Sequence, residues 1–212
     1  VQRIGIVVAA GRGARFGRPK QFERIGDERL VDRAVRIVGR FCDGVVVVLP
    51  PGVGWDGPPV LAAVAGGATR SESVRAGLAV VGPDAEIVLV HDAARPLAGD
   101  AVFRAVLAGL DHADGAVPGV PVGDTIKRVQ GSRVVATLPR DELVAVQTPQ
   151  AFRAAALRAA HAAGADGTDD AALVEANGGT VVVVAGDPTN FKVTGPDDLE
   201  RAARLLDARS ER

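Results

Sequence analysis

Three short stretches of this chain combine residue types that can do chemistry. The first, Ala9 to Lys20, holds three glycines, three arginines and one lysine, and no acid. It follows the uncharged run Ile4-Gly5-Ile6-Val7-Val8. Glycines let backbone N–H groups approach an anion, and cations neutralise it, so the stretch predicts a seat for a polyphosphate. The second is Val90-His91-Asp92-Ala93-Ala94-Arg95-Pro96. Asp92 ends an apolar run, where open α/β sheets place their ligand crevice. One carboxylate beside a phosphate loop suits Mg²⁺, which takes one or two carboxylates, phosphate oxygens and several waters. The alternative for Asp92 is a helix cap. The third is Asn190 to Asp198, where Lys192 lies between two apolar residues just before a helix start marked by Pro196. Alternation puts Asn190, Lys192 and Thr194 on one polar face. The alternative for Lys192 is a solvated edge lysine.

Lys20 and Lys192 stand out because arginine fills almost every other basic position. Of 25 basic residues only Lys20, Lys127 and Lys192 are lysines. A compact ammonium and a planar guanidinium are not interchangeable at a reacting phosphate. Two common phosphate motifs fit the first stretch poorly. Its spacing, Gly11-x-Gly13-x-x-x-Gly17, is not the dinucleotide fingerprint, and no acid ends the second strand at Val48-Leu49-Pro50-Pro51. Lys20 is followed by Gln21, not by the Ser or Thr of a Walker loop. The three histidines offer no general base: His112 and His161 fall in helical patterns as surface or packing residues, and His91 reads as structural.

The elements that must position these groups alternate. β-branched runs predict strands over Arg3–Ala9, Gly44–Leu49, Glu86–His91, Gly115–Val120 and Thr180–Ala185, with Val45–Val48 and Val181–Val184 fully buried. Helical patterns predict Leu30–Phe41, Ser71–Val81, Asp100–His112, Ala151–Ala163, Asp169–Ala176 and Pro196–Ala208. Thr69-x-x-Glu72 is a capping box that starts a helix just after Gly66-Gly67, and Asp197-x-x-Glu200 is expected to act similarly. The pattern is that of a parallel α/β sheet covered on both faces. One segment departs from it. Asp124–Gln130 and Arg133–Leu138 flank Gly131-Ser132, a two-residue hairpin with Gly131 suited to the first position of a type II′ turn. A lone hairpin is marginal in water, so it must lean on its own domain or on a second subunit. The reading is one domain over 1–212 with an arm at about 122–142.

Bulk properties narrow the function. A net charge of −1 argues against a general nucleic-acid binder or a polybasic membrane protein. One cysteine, Cys42, excludes a disulfide framework and a cysteine-ligated zinc site, and reads as packing. No apolar run approaches the roughly 18–20 residues of a membrane span. The expectation is a cytoplasmic protein with no membrane or nucleic-acid partner.

The motifs follow one another in a specific order: the glycine-rich loop, Pro19-Lys20-Gln21-Phe22, Gly66-Gly67-x-x-Arg70-x-x-Ser73-Val74, His91-Asp92-Ala93-Ala94-Arg95-Pro96, Asp124-Thr125-x-Lys127, Gln147-Thr148-Pro149-Gln150, Thr168-Asp169-Asp170 and Asn190-x-Lys192-Val193-Thr194. In this ordered set, over nearly its whole length, the chain resembles the 2-C-methyl-D-erythritol 4-phosphate cytidylyltransferases. The resemblance implies an α/β fold of nucleotidyltransferase type: a Rossmann-like, mostly parallel sheet with helices on both faces and a protruding β-hairpin arm for dimerisation. It implies CTP and a sugar or polyol phosphate as substrates, Mg²⁺ as cofactor and a homodimer. Arg15, Lys20 and Lys192 would be catalytic, and Asp92 the metal ligand. Ala9, Ala10, Gly11, Gly13, Gly67, Arg70, Ser73 and Ala93 would bind the nucleotide. Arg95, Thr125, Thr148 and Thr168 would contact the sugar phosphate, with Arg140 reaching it across the dimer. Ala68 stands where many members carry a carboxylate near the base. The rivals are ribitol 5-phosphate cytidylyltransferase and, from another class, a non-catalytic nucleotide-binding module. Ala94 and the short chain end favour methylerythritol phosphate.

Overall fold

The computed structural model describes residues 1–11, 13 and 16–210. In chain order the elements are β1 (Gln2–Val8), β2 (Arg24–Ile25), β3 (Glu28–Arg29), α1 (Leu30–Gly39), β4 (Gly44–Leu49), β5 (Ala62–Ala65), α2 (Arg70–Leu78), β6 (Ala85–Asp92) and α3 (Asp100–Ala108). They continue with β7 (Gly115–Pro121), β8 (Ile126–Gln130), β9 (Arg133–Leu138), β10 (Val144–Val146), β11 (Gln150–Arg153), α4 (Ala154–Ala162), α5 (Asp170–Ala176), β12 (Val181–Ala185) and α6 (Pro196–Ser210).

β5, β4, β1 and β6 lie side by side in parallel. β11 runs antiparallel between β6 and β7. β10 pairs antiparallel with the end of β7, while β12 runs parallel to β7. The result is an eight-stranded, mostly parallel sheet. Strand alternation sorts side chains into two layers. Val7, Val45, Val47 and Leu89 face the layer of α1 and α3, meeting Val31, Val35, Val38 and Phe103. Ile4, Ile6, Val46, Val48, Val88 and Val90 face the opposite layer, meeting Val74, Leu157 and Leu173 from α2, α4 and α5. Both faces are therefore buried, which is why the strands read as unbroken apolar runs. α6 closes a third cluster with Ile25, Leu30, Leu97 and Val193.

The capping box forms as predicted: the Thr69 side chain accepts from Glu72 N–H and the Glu72 carboxylate from Thr69 N–H, so α2 begins at Arg70. The hairpin also forms, with Gln130 opposite Arg133. Gly131 has φ +58, and no described residue other than glycine has positive φ. A type I′ turn would need positive φ at Ser132 too, so the turn matches type II′.

Three expectations are corrected. The helix expected over Ala151–Ala163 begins only at Ala154, because Gln150–Arg153 pairs with β6 and β7 as β11. Val181–Val184 is not fully buried: β12 pairs with β7 alone, Val182 and Val184 pack inward, and Val183 on the other face is exposed. At α6 the acid that binds the preceding backbone is Asp198, which accepts from Thr194 N–H and Gly195 N–H, while Glu200 pairs with Arg204.

Candidate active site

β1 and β6 are neighbours whose carboxyl ends coincide, with Val8 opposite Asp92. The chain leaves β1 toward β4 on one side, while β6 lies on the other. This is the switch point at which a parallel sheet opens a crevice. Ala9 N–H donates to Val48 O at 2.8 Å and Ala93 N–H to Val8 O at 3.1 Å, which anchors both exit loops over the strand ends. Gly13 has φ +65, and a Cβ there would fall 1.8 Å from Arg18 O, so only glycine lets the loop fold back on itself. Gln21, buried, donates from Nε2 to Gly11 O at 3.0 Å and pins the loop. Across the crevice, a Cβ on Gly66 would sit 2.4 Å from Ala10 Cβ and 2.7 Å from Ser73 Oγ. The turn into α2 thus approaches the loop as closely as backbone permits, and the N-terminus of α2 faces the crevice.

The walls enclose a cavity of about 360 Å³. Every described residue expected to bind the nucleotide lines it: Ala9, Ala10, Gly11, Gly13, Gly67, Arg70, Ser73 and Ala93. Lys20, Asp92 and Lys192 line it too, although they are far apart in sequence. Arg15 lies outside the described residues. A second cavity, of about 250 Å³, adjoins the first and shares Arg70, Asp92 and Lys192 with it. Arg95, Thr148 and Thr168, the residues expected to contact a sugar phosphate, line this second cavity. Thr125 and Arg140 do not. Both are exposed on or beside the hairpin, lining neither cavity, and Arg140 Nη1 donates to Gly123 O at 2.9 Å.

Asp92 is the shared wall's electrostatic centre. Its Oδ2 accepts from Lys192 Nζ at 2.7 Å and its Oδ1 from Arg70 Nε at 3.3 Å. Burial alone would raise its carboxyl, but the Arg70 guanidinium and the Lys192 ammonium outweigh that and hold it well below the usual carboxylate range. The group is an ionised acceptor at any working pH. Its backbone N–H donates to Thr148 Oγ1 at 3.0 Å, and that hydroxyl meets His91 Nδ1 at 3.1 Å. Burial lowers His91 to about 4, so its ring is neutral and structural, as expected. No group of three acidic, His or Cys ligands occurs among the described residues.

Lys192 is placed by its segment rather than by a strand. Gln147 Nε2 donates to Asp187 O at 2.8 Å, Asn190 Nδ2 to Thr148 O at 2.9 Å, and Val193 N–H to Ala94 O at 2.8 Å. Asn190, Lys192 and Thr194 do not share one polar face: they turn to Thr148, Asp92 and Asp198 respectively.

Sequence reading missed two groups. His161, expected as a surface or packing residue, is buried, with Nε2 3.0 Å from Asp170 Oδ1. Asp170 is fully buried, and its Oδ2 accepts from Arg70 Nη1 at 2.8 Å. The signal available was the second acid of Thr168-Asp169-Asp170 at the start of an amphipathic helix, where one capping acid, Asp169, suffices. His112 is exposed. No described helix is long and apolar enough to cross a membrane.

Residues 4–208 match the family model described as IspD: 2-C-methyl-D-erythritol 4-phosphate cytidylyltransferase. A 2-C-methyl-D-erythritol 4-phosphate cytidylyltransferase of Nocardia farcinica is 44% identical, covering 98% of this chain and 95% of its own. A bifunctional enzyme IspD/IspF of Anaeromyxobacter dehalogenans is also 44% identical over 97% of this chain, which spans only 57% of that relative's length. The crystal structure of the cytidylyltransferase from Thermus thermophilus superposes with a TM-score of 0.81 at 35% identity, covering 97% of this chain and 100% of its own. The chain therefore belongs to the IspD family of 2-C-methyl-D-erythritol 4-phosphate cytidylyltransferases and shares its mostly parallel α/β sheet.

Proposed function

We propose that the chain transfers CMP from CTP to 2-C-methyl-D-erythritol 4-phosphate, giving 4-diphosphocytidyl-2-C-methyl-D-erythritol and pyrophosphate in isoprenoid precursor biosynthesis. The observation that carries this is the pair of adjoining cavities that share Asp92, Arg70 and Lys192. A nucleotide in the first and a phosphate monoester in the second would meet at those groups. A phosphate oxygen of the sugar phosphate attacks the α-phosphorus of CTP in line, and pyrophosphate leaves. A monoester is already an anion, so no general base is needed. Neither cavity has a histidine among its described lining residues, which is consistent with that. Catalysis is then positioning plus electrostatics.

Lys20 and Arg15 neutralise the phosphates of CTP. Lys192 turns from Asp92 to the reacting phosphoryl group when substrates bind. Ala9, Ala10, Gly11, Gly13, Gly67, Ser73 and Ala93 seat the base and ribose through backbone atoms and one hydroxyl, with Arg70 at the wall. Arg95, Thr148 and Thr168 receive the sugar phosphate. Thr125 and Arg140 complete that site from a second copy of the chain, since within one chain neither is among the described residues that line either cavity. The hairpin fits this: β8 and β9 expose Val129, Val134 and Val135, an apolar surface that a dimer would cover. We take the chain as one cytidylyltransferase domain over 1–212 with an arm at 122–142, acting in the cytoplasm.

Enzymes of this class typically use a divalent cation, and magnesium is our assignment. Among the described residues Asp92 is the one carboxylate lining the nucleotide cavity, and it is ionised. That donor suits an ion which keeps waters and takes phosphate oxygens. When bound, the ion would add positive charge on the phosphates. The direct test is pyrophosphate release from CTP, ATP, GTP and UTP with methylerythritol 4-phosphate or ribitol 5-phosphate, with and without EDTA. The expected result is release with CTP and methylerythritol 4-phosphate, abolished by EDTA. Preference for ribitol 5-phosphate would overturn the substrate assignment.

A further inference from the structure

The site's central cation is itself held from behind. Arg70 Nε reaches Asp92, while its Nη1 reaches Asp170 at 2.8 Å, 22 and 100 residues away in sequence. Asp170 is fully buried at the start of α5, and its other oxygen is 3.0 Å from Nε2 of His161 on α4. A carboxylate only accepts, so Nε2 carries the proton and donates. His161 Nδ1 is buried without a hydrogen-bond partner among the described residues, so Asp170 is the ring's one polar contact there. The chain of contacts His161–Asp170–Arg70–Asp92–Lys192 thus runs from a helix behind the sheet to the wall between the cavities. Arg70 Nη2 is buried with no partner among the described residues. Arg70, which lines both cavities, therefore has one nitrogen on each acid and a third, buried one without a partner among the described residues.

Two simpler accounts are weaker. As a helix cap Asp170 is superfluous, because Asp169 already accepts from Ala172 N–H at 3.0 Å. As a packing residue it is costly, since a buried carboxylate must be paired to be tolerated. A guanidinium held at two of its three nitrogens by buried acids cannot rotate, which is the rigidity a charge-stabilising site requires.

We propose that Asp170, oriented by His161, is a positioning residue for nucleotidyl transfer. It fixes the plane of the Arg70 guanidinium, and through Arg70 the Asp92 carboxylate, so that the shared wall is set before substrates arrive. Its partners belong to α2 and α4, and Arg70 in turn meets Asp92 at the end of β6, so it also ties the helix layer to the crevice. The inference rests on the proposed reaction.

The test is steady-state kinetics of pyrophosphate release with CTP and methylerythritol 4-phosphate, with melting temperature read alongside. Asp170→Asn, which keeps shape and removes charge, should lower kcat about 10-fold or more with each KM within about threefold, because a misplacement of about 1 Å near the chemistry can cost about 10²-fold. In an Arg70→Ala background Asp170→Asn should cause no further loss, because the two act as one unit. His161→Phe should lower kcat about threefold to tenfold, and His161→Gln, whose amide nitrogen can donate to Asp170, should recover most of it. The histidine pair keeps the idea testable if Asp170 variants fold poorly. Wild-type turnover in Asp170→Asn, losses that multiply with Arg70→Ala, or equal turnover in His161→Phe and His161→Gln would each overturn it. Wild-type protein that releases no pyrophosphate with any sugar phosphate would overturn the assigned reaction, and the positioning role with it.

Discussion

Among the described residues, two lysines and one carboxylate, Asp92 at a strand end, line the first cavity and set what it can do. Asp92 is buried, ionised and already paired with two cations, an arrangement suited to organising charge rather than to moving protons. Lys20 also lines the first cavity. If it neutralises charge that builds as pyrophosphate leaves, Lys20→Ala should lower kcat about 10²-fold or more. Lys20→Arg should recover little, because a planar fork cannot replace a compact ammonium. Turnover of either variant, measured at saturating CTP, checks this. Away from the site, burial pushes the Cys42 thiol up to about 12. The thiolate is the reactive form. At pH 8 native protein should therefore alkylate with iodoacetamide about 10³-fold more slowly than urea-unfolded protein, because so little of the buried thiol is thiolate. Comparable rates would show that Cys42 is not shielded.

At the scale of elements, the site depends on where helices start. α2 begins beside the crevice because the Thr69 side chain and Glu72 satisfy each other's backbone, and Thr69 Oγ1 also meets Asp166 at 2.9 Å. Thr69→Ala should cost about 1 kcal/mol, with Thr69→Ser nearly neutral, as for other N-caps. Urea denaturation of the three proteins measures it. This cap was legible because its residues are local. So were β1, β4 and β6, where burial on both faces removes every polar residue from Ile4–Val8 and Val45–Leu49. What was hidden is set by partners far along the chain. Gln150–Arg153 sits in an alanine-rich run that favours helix, and only the edges of β6 and β7 make it a strand. Ala62–Ala65 has little β propensity and is a strand because β4 offers it an edge. Val181–Val184 reads as buried, yet Val183 is exposed. The same limit hid His161 and Asp170. Their types are visible in the sequence, but their meeting with Arg70 depends on α2, α4 and α5 packing on one face.

At the scale of the whole molecule, one chain leaves Thr125 and Arg140 outside both cavities, and the hairpin keeps three valines in solvent. A two-fold dimer, with Arg140 acting in the partner's site, accounts for both. Subunit mixing tests this. Lys20→Ala and Arg140→Ala, each nearly inactive, are allowed to exchange. If Arg140 acts across the dimer, every mixed dimer holds one intact site and one doubly defective site. Random exchange makes about half of the dimers mixed, so about a quarter of all sites should regain wild-type turnover. No recovery, with exchange confirmed by mass, would place Arg140 outside a shared site.

We place the attack of the sugar phosphate on the α-phosphorus of CTP at the wall shared by the two cavities. Tracking label tests it most directly. With CTP labelled at the α-phosphate and methylerythritol 4-phosphate present, the label should appear in a cytidine diphosphate-linked product. With label at the γ-phosphate, it should appear in pyrophosphate. γ-Label on the sugar phosphate, or either label released as inorganic phosphate without a nucleotide-linked product, would contradict the account.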